Sequence, residues 1–528
     1  MLNDLLKEIG ATPFSLIIDE STDLSTQKVL CVMIRFFSIK EKQVVSTFYR
    51  VIQLVNCDAI SVYNAIKTQL EEDGLNYQNM VGIGADGASV MVGKHNSVTA
   101  LFKRDLGDLI VVKCVCHSLH LCAEKAAEEL PRQLEFLVRE THNWFSYSTK
   151  RLEQYRDLYE TINEGNRNPN KIQGLSGTRW LARYAAIDTI LKQWDELQLL
   201  FSLAKTQDKC FMAEQLHDIM RRPAFKAYLV FLRDELKHVT QINMLFQSEH
   251  CEPTKLLEDL FLLYKKILQK LVVPSQLQKI HDSELAEFNF QLYLMHTASL
   301  NLGYDFEEVA KNLVENELLD VKERCKKFLC TLAMEMQQRL PENLSTLKMI
   351  TVLKPEVATS QVKPSLNNIL QRFHRNSVYG NKNDIEAEWN QLQNKLWTNT
   401  SGSSAEFYAE VYNDCDAGNR KRFENISKFA MALLTLPVSN ASVERAFSTY
   451  AIIKNKLRNR LSLKMCQNIM MVRFSLQRDY KSCVNFSPTS DMIKNFNVRM
   501  YEYNKKSSHE EDDLDDDTVL EIMNNIVC

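Results

Sequence analysis

The chain has 528 residues, of which 45% are hydrophobic and 25% charged. This length is too great for a single hydrophobic core, so two or three domains are expected. The formal net charge of −3 excludes a globally basic nucleic-acid binder but permits local basic patches. No apolar run approaches the ~18 residues that span a bilayer, and the start MLNDLLKEIG lacks the apolar segment of a signal peptide. We therefore expect an intracellular protein with no membrane partner, whose 13 scattered cysteines are reduced thiols.

Strand-like and helix-like segments alternate over the first 130 residues. Apolar and β-branched runs predict strands, and helical spacing predicts helices between them. The predicted strands are residues 14–19, 28–38, 43–55, 80–84 and 109–115, and the predicted helices are 59–72, 95–106 and 118–130. The order β-β-β-α-β-α-β-α is that of an RNase H-like domain, with a mixed five-stranded β-sheet covered by helices.

The pattern becomes helical between residues 133 and 352, where prolines and glycines are sparse. The predicted helices are residues 134–160, 185–202, 225–244, 254–271 and 306–340. Residues 354–404 are more polar, with loops expected at 381–384 and 398–404, and helical periodicity returns over 405–476. We therefore divide the chain into 1–132, an α/β core; 133–404, an all-helical domain ending in a polar linker; 405–480, a second helical part; and 481–528, a mostly disordered acidic tail.

Two aspartates end apolar strands in the predicted core. Asp19 and Asp86 lie at the carboxyl ends of their strands, the edge where ligands and metals gather in open α/β sheets. Mg²⁺ and Mn²⁺ prefer such oxygen ligands, and two ions about 3.5–4 Å apart support phosphoryl transfer. Taken alone, each aspartate is more simply a turn residue or a helix cap. Glu20 and Asp23 compete with Asp19, but strand alternation turns Glu20 to the other face, and Asp23 fits a cap of the following turn.

Three longer segments carry a family resemblance. They are FSLIIDESTDLSTQKVLCVMIRFF at 14–37, VGIGADGASVMVGKHNSVTALFKR at 81–104 with VVKCVCHSLHLCAEKAA at 111–127, and LLTLPVSNASVERAFSTYAIIKNKLRNRLSLKMCQNIMMVRF at 433–474. Together they resemble the hAT superfamily of DNA transposases over most of the chain, more weakly in the helical middle. The third segment, with its Pro-x-Ser-x-x-x-x-Glu-Arg-x-Phe-Ser pattern, resembles the hAT C-terminal dimerisation region. The resemblance implies an RNase H-like core that a large all-helical insertion interrupts and that 405–480 completes.

The resemblance also implies a catalytic site. Asp19 and Asp86 match the first two acids of the family, and Glu444 in SVERAFS matches the third. These acids would bind a pair of Mg²⁺ or Mn²⁺ ions, without a small-molecule cofactor. The implied reaction is nicking at the transposon end, hairpin formation in the flanking DNA, and strand transfer of the 3′-hydroxyl. Val443 and Phe447 form an apolar face of the same predicted helix, which is expected to bury against the sheet.

A cluster of possible metal ligands follows the fifth predicted strand. Cys114, Cys116, His117, His120 and Cys122 lie within nine residues, but their spacing does not match a structural zinc site, so zinc is not expected. The resemblance matches Cys114 and His117 to a Cys-x-x-His motif whose histidine lies near the scissile phosphate. The alternative is a cysteine packed in the core and a histidine at the start of a helix.

A Thr-Arg-Trp motif lies early in the helical part. Trp180 and the adjacent Arg179 resemble family residues close to the active site, where the tryptophan stacks on an unpaired flanking base. Such stacking contributes ~1–3 kcal/mol per base and tolerates any sequence. The alternative is a tryptophan that anchors the insertion on the core.

The C-terminal part contains a basic segment. Lys454, Lys456, Arg458 and Arg460 concentrate four cations in seven residues and suit contacts with DNA phosphates or a nuclear import signal. Arg445, next to the third acid, is expected to meet a DNA phosphate or an acid. A solvated helix face is the alternative for the basic segment.

An apolar stripe overlaps the basic segment. Leu457, Leu461, Met465 and Ile469 recur every four residues, as on one face of a helix. By the resemblance this region, together with the inserted domain, makes a homodimer or higher oligomer, and packing within the chain is the alternative.

Typical hAT transposases also carry an N-terminal BED-type zinc finger that binds transposon ends. No Cys-x-x-Cys…His pattern precedes Phe14, so we expect either a fragment or a form that has lost the finger. Two functions stay open for a protein expected in the nucleus. One is a metal-dependent DNA transposase, and the other is a host-adopted, non-catalytic protein that dimerises and binds DNA or chromatin.

Overall fold

The structure is a computed structural model that describes residues 1–23, 26–165, 168–174, 182–249, 251–281, 284–373, 375–482 and 484–496. The chain forms two compact units, residues 1–471 and residues 472–528. The division of the sequence into residues 1–132, 133–404, 405–480 and 481–528 rests on sequence pattern alone, and it stays a prediction. No described helix is long and apolar enough to cross a membrane, and no disulfide joins the cysteines of the described residues.

A mixed β-sheet forms the N-terminal core, as the sequence predicts. Its strands are β1 Phe14–Thr22, β2 Lys28–Ser38, β3 Gln43–Leu54, β4 Met80–Ala85 and β5 Ile110–Lys113. The described residues form one five-stranded sheet in the order β3-β2-β1-β4-β5. β1 pairs antiparallel with β2 and parallel with β4, β2 pairs antiparallel with β3, and β4 pairs parallel with β5. This confirms the RNase H-like mixed sheet.

The buried stretches of the two central strands, β1 and β4, are mostly apolar, as expected where both faces of a sheet are covered. Phe14 to Ile18 of β1 are all buried, as is every residue of β4. The helices of this part are α1 Leu2–Ile9, α2 Ala59–Glu72, α3 Ser89–Val92, α4 Val98–Leu106 and α5 Val115–Ala127. α5 begins three residues earlier than predicted, with Cys114 as its N-cap, which places His117 in its first turn.

The helical insertion is more divided than its periodicity indicates. Its helices are α6 Gln133–Ser146, α7 Thr149–Ile162, α8 Ala182–Lys192, α9 Trp194–Gln207, α10 Phe211–Met220, α11 Pro223–Gln247, α12 Leu256–Leu271, α13 Pro274–Leu277, α14 Tyr304–Ala310, α15 Glu315–Arg339 and α16 Pro341–Thr351. Residues 134–160, predicted as one helix, are two, because Ser148 starts α7 by accepting a hydrogen bond from the Arg151 N–H. Residues 306–340 likewise divide into α14 and α15.

Residues 354–404, predicted as a polar linker, contribute to a second apolar core. They contain α17 Pro355–Ala358, α18 Asn367–Leu370, α19 Asn376–Tyr379 and α20 Lys382–Gln391. Trp389 is fully buried, and it joins Phe373 and Phe429 in this core. The loop predicted at 381–384 is wrong, because the Asn381 side chain accepts a hydrogen bond from the Asn383 N–H and starts α20. Short 3₁₀ helices occupy Tyr77–Asn79, Pro253–Lys255, Phe290–Tyr293, Thr297–Ser299 and Leu392–Asn394.

The C-terminal part returns to the sheet. Its helices are α21 Ser404–Asn413, α22 Glu424–Leu434, α23 Ala441–Ile453, α24 Leu463–Arg478 and α25 Ser490–Asn495. α22 packs on β2, and α23 packs across β1, β2 and β3. α25 lies within residues 481–528, so the tail predicted as mostly disordered holds at least one short helix, which Thr489 caps. The acidic run at 510–517 lies outside the described residues.

Two glycines in β4 explain how the returning chain reaches the sheet. Gly82 and Gly84 share one face of the strand. A Cβ added at Gly82 would lie 2.5 Å from Cδ2 of Leu436, and one at Gly84 would lie 2.8 Å from Cγ of Pro437. The sequence MVGIGA therefore leaves room for the segment that leads into α23.

We expect Gly84→Ala to lower the free energy of unfolding by about 1–3 kcal/mol, because the added methyl group overpacks the contact with Pro437. Thermal unfolding followed by circular dichroism measures the change. Gly402→Ala is the control, since its Cβ would meet nothing closer than 3.7 Å, at Oε2 of Glu406. A change within about 0.5 kcal/mol is expected there, and equal effects of both substitutions would contradict the close packing.

Candidate active site

Asp19 and Asp86 lie side by side at the carboxyl ends of two parallel strands. Ile17 of β1 pairs with Gly84 of β4. Asp19 lies two residues further along β1, and Asp86 lies two residues after Gly84, directly beyond the end of β4. Continued strand alternation puts both on the face that carries Gly84. Adjacent strands are about 4.8 Å apart. This is also the face on which the segment leading into α23 packs.

Glu444 reaches the same region from the other end of the sequence. It lies in the first turn of α23, next to the fully buried Val443, whose predicted apolar face packs on the core. The pKa of Asp19 is raised to about 7 by its burial and by the negative charges of Asp86 and Glu444, while a hydrogen bond from the Glu20 N–H to Oδ1 of Asp19 (3.0 Å) opposes the rise. The three predicted acids therefore act on one another electrostatically.

The donors and their charge suit a hard divalent cation. Carboxylates held close together in a partly buried site repel one another, and a bound Mg²⁺ or Mn²⁺ removes that cost. Among the described residues, no group of three or more histidines, cysteines, aspartates or glutamates is arranged as a ready ligand set. The three acids therefore suit a metal ion by their negative charge and their oxygen donors. Asp19, Asp86 and Glu444 are the residues that would hold the ion.

His117 lies beside the turn that follows Asp86. Its side chain is exposed, and its Cδ2 atom lies 3.5 Å from the position that a Cβ of Gly87 would take. Cys114 is 3% exposed, and its Sγ accepts a hydrogen bond from the Asn440 N–H at 3.3 Å. The buried cysteine agrees with the core interpretation, and it also ties the start of α5 to the start of α23. His117 is left open to a ligand near the acids.

The structure corrects one predicted DNA contact. Nζ of Lys454 lies 2.6 Å from Oδ2 of Asp23, and the side chains of the two residues are 4% and 1% exposed. Tyr450 donates a hydrogen bond from its hydroxyl to the same oxygen at 3.3 Å. Lys454 is therefore the buried partner of an acid and not a cation offered to phosphate. Asp23 also caps its turn as predicted, because Oδ1 accepts a hydrogen bond from the Gln27 N–H.

The other three cations of the basic segment are exposed. Lys456, Arg458 and Arg460 lie between the end of α23 and the start of α24. No ion pair joins them to another side chain in the part of the chain that the structure describes. They stay predicted DNA contacts, in a turn-rich segment and not on a helix.

The predicted apolar helical stripe is wrong in its first half. Leu457 and Leu461 lie in the non-helical segment, and only Met465 and Ile469 lie on α24. Asn455 explains the break, because its side chain accepts from the Leu457 N–H and donates to the Ile452 carbonyl, which competes with helical bonding. Leu457 is 94% exposed and Met465 is 44% exposed.

Arg445 meets an acid, one of the two partners expected for it. Its guanidinium lies 2.6 Å from Oε1 of Glu249 and donates a second hydrogen bond to the Gln247 carbonyl at 3.1 Å. Assigning Arg445 to DNA is therefore corrected, since the insertion supplies its partners. Arg179 and Trp180 lie outside the described residues, so their roles stay predictions.

Asn440 is a residue of interest that sequence reasoning missed. It is 3% exposed, and neither Oδ1 nor Nδ2 has a hydrogen-bond partner among the described atoms. Its Oδ1 lies 3.7 Å from the position of a Cβ at Gly84. An asparagine before a helix normally indicates an N-cap, but Asn440 makes no such side-chain bond to α23. The sequence holds no signal for its burial beside β4.

Comparison with known families agrees with this geometry. Residues 1–97 match the ZMYM1/FAM200 RNase-like domain, and residues 411–476 match the hAT family C-terminal dimerisation region. The two matches are consistent with a hAT transposase-like protein. The first match contains Asp19 and Asp86, and the second contains Glu444. The family resemblance of the sequence is thereby confirmed.

The two matched regions meet in the fold. α23, which belongs to the dimerisation region, packs across the first three strands of the RNase-like domain. The dimerisation region is therefore no separate module, because it completes the core that the helical insertion interrupts.

Proposed function

We propose that this protein is a metal-dependent DNA transposase of the hAT type, in which Asp19, Asp86 and Glu444 form an Asp-Asp-Glu site for DNA cleavage and strand transfer. The observation that carries the proposal is the parallel pairing of β1 with β4, which brings Asp19 and Asp86 to one edge of the sheet, together with Glu444 in the first turn of α23. Burial and the charges of Asp86 and Glu444 raise the pKa of Asp19 to about 7, in agreement with this arrangement. Carboxylates from two distant parts of the sequence thus interact electrostatically at one edge of the sheet. Such perturbed acids cluster at functional sites.

The proposed chemistry divides between the metal and the protein. When bound, Mg²⁺ or Mn²⁺ activates the attacking oxygen and stabilises the leaving oxygen of a phosphodiester. Asp19, Asp86 and Glu444 supply the oxygens that hold the ion, and Asp19 gives up its proton on binding because its pKa is about 7. His117, exposed beside the Asp86–Gly87 turn, donates a hydrogen bond to the scissile phosphate.

Exposed groups of the C-terminal region support DNA binding and self-association. Lys456, Arg458 and Arg460 contact phosphates in this proposal, so binding weakens as salt concentration rises. Leu457 and Met465 expose apolar surface within the region that matches the hAT dimerisation region, and a second copy of the chain covers them in a homodimer. The site of action is the nucleus.

Cleavage of DNA by the chain with Mn²⁺ tests the catalytic proposal. Supercoiled plasmid and a linear duplex carrying a branched flank are the substrates, and we expect nicked and cleaved products from the wild type. Glu444→Gln should lower the rate by roughly 10²–10³-fold or more, because a carboxylate that would hold the charge-stabilising metal ion is lost. Glu424→Gln, an exposed acid on α22, is the matched control and should cleave normally.

The alternative function predicts a different outcome of the same assay. If the wild-type chain, fused to a zinc finger that recognises the substrate, leaves the DNA intact, the catalytic proposal is wrong. If the wild type and Glu444→Gln then both bind DNA and both dimerise, the protein is a non-catalytic DNA- or chromatin-binding protein.

A further inference from the structure

The last turn of α11 ends against the segment that carries Glu444. The last four carbonyls of an α-helix lack partners within the helix. In α11 the Phe246 carbonyl accepts a hydrogen bond from Oγ of Ser439 at 2.7 Å, and the Gln247 carbonyl accepts one from Nη1 of Arg445 at 3.1 Å. The insertion thus has two of its terminal carbonyls satisfied by side chains of the returning core.

Two further contacts strengthen the same junction. Arg445 forms an ion pair with Glu249, which follows α11, at 2.6 Å. The thiol of Cys116 in α5 donates to the Asn243 carbonyl at 3.7 Å. Arg445 places a positive charge at the negative end of the α11 dipole, which is the favourable arrangement. The junction therefore joins α11 to both segments that flank the candidate site, α5 and α23.

Ser439 and Arg445 bracket the start of α23. Ser439 lies two residues before the first residue of the helix, and Arg445 directly follows Glu444. The side chain of Asn440 does not cap this helix. Since α23 lacks a side-chain cap of its own, the bonds from Ser439 and Arg445 to α11 hold its first turn from outside. A displacement of about 1 Å in a reacting group can lower activity by about 10²-fold. The position of this turn therefore determines whether Glu444 can act together with Asp19 and Asp86.

We infer that Ser439 and Arg445 are positioning residues through which the helical insertion sets the place of Glu444. This inference rests on the proposed function. The insertion then has a direct part in assembling the site, because the end of α11 fixes the turn that presents the third acid. Exposed ion pairs contribute little to stability, and the Arg445 and Glu249 side chains are 45% and 46% exposed. Loss of the pair should therefore change the site more than the fold.

The test uses the full chain with Arg445→Gln and Arg445→Lys. Lys428→Gln is the matched control, because it removes an ion pair within α22 whose side chains are 46% and 45% exposed. Three measurements are made: the Mn²⁺ concentration at half-maximal plasmid cleavage, the melting temperature, and hydrogen exchange of the α23 amides without metal. Arg445→Gln should raise the half-maximal Mn²⁺ concentration at least about tenfold, as loss of groups that orient metal ligands does.

The other readouts separate positioning from folding. Arg445→Gln should speed hydrogen exchange in the first turn of α23 while the melting temperature falls by less than about 2 °C. Arg445→Lys, which keeps the charge, should recover part of the Mn²⁺ response, and Lys428→Gln should match the wild type. A wild-type Mn²⁺ response in both Arg445→Gln and the double variant Ser439→Ala/Arg445→Gln overturns the inference and leaves the proposed function standing. Absence of Mn²⁺-dependent cleavage in the wild type overturns both.

Discussion

Replacing Asp19 by asparagine is expected to raise the melting temperature of the metal-free protein at pH 8 and to abolish its stabilisation by Mn²⁺. Burial and the charges of Asp86 and Glu444 raise the pKa of Asp19 from 3.8 to about 7. A raised pKa means that the folded protein disfavours the charged carboxylate more than the unfolded chain does. The contribution of Asp19 to stability is therefore fully present below pH 3.8 and is lost as the pH rises through about 7.

The size of this effect follows from the shift. A difference of one pKa unit corresponds to about 1.4 kcal/mol, so ionised Asp19 costs the folded protein on the order of 4 kcal/mol at pH 8. Asparagine has nearly the same shape and carries no charge, which removes this cost. Stabilisation by Mn²⁺ depends on pH in the opposite direction, because the ion binds the ionised carboxylates. At one hundred times its dissociation constant, bound Mn²⁺ raises the free energy of unfolding by about 2.7 kcal/mol. The neutral amide in Asp19→Asn is a weaker metal ligand than the carboxylate, so this variant should forfeit that gain.

Thermal melts between pH 4 and 8, with and without Mn²⁺, measure both effects. The wild type should lose stability across this range and regain it with Mn²⁺, whereas Asp19→Asn should lose less and respond weakly to the metal. Glu20→Gln is the matched control, since Glu20 is the next residue along β1 and strand alternation turns it to the opposite face of the sheet from Asp19. It should keep the Mn²⁺ response. If Mn²⁺ stabilised Asp19→Asn as much as the wild type, Asp19 would not be a metal ligand.

The sheet could be predicted from the sequence because its signals are local. β-branched runs such as KVLCVMIRFFS gave β2 its bounds, and Asp58 marked the start of α2, where its side chain accepts from two backbone N–H groups. Strand order then predicted the RNase H-like topology. The divided helices of the insertion were not predicted, because periodicity continues through a break that a single cap such as Ser148 creates.

The candidate site could be predicted only in part. Asp19 and Asp86 each have the pattern of an ordinary turn, and only the pairing of β1 with β4 makes them neighbours. Glu444 required the family resemblance, since nothing local marks it as a ligand. Asn440 was missed because its burial depends on the absence of a side chain at Gly84, which lies more than 350 residues earlier in the sequence. Packing between residues so far apart in the sequence produces no periodic pattern of apolar residues from which it could be predicted.

Lys454 is the clearest case in which local pattern misled. Within KNKLRNR it has the same character as its neighbours, and it was assigned to DNA with them. Its partner Asp23 is 431 residues away in the sequence, beyond the reach of any window. Lys456, two residues on, is exposed. The two lysines therefore provide a matched pair in which burial is the main difference.

We expect Lys454→Met to destabilise the protein by about 3–5 kcal/mol, because the carboxylate of Asp23 would stay buried without its counter-charge. Lys456→Met should change stability by no more than about 0.5 kcal/mol. The double variant Asp23→Asn/Lys454→Met removes both charges and should recover much of the loss, since replacing a whole buried pair is often nearly neutral. Chemical unfolding followed by circular dichroism measures all three.

The same substitution reports on the site, because Lys454 directly follows α23. The pair with Asp23 fixes the end of the helix to the turn after β1, and Ser439 and Arg445 hold its start. Hydrogen exchange in α23 should therefore rise in Lys454→Met before the sheet itself unfolds, and the double variant should restore protection. If Lys454→Met were as stable as Lys456→Met, the buried pair would not anchor α23. Glu444 would then depend for its position on the contacts at the start of α23 and on the packing of α23 against the sheet.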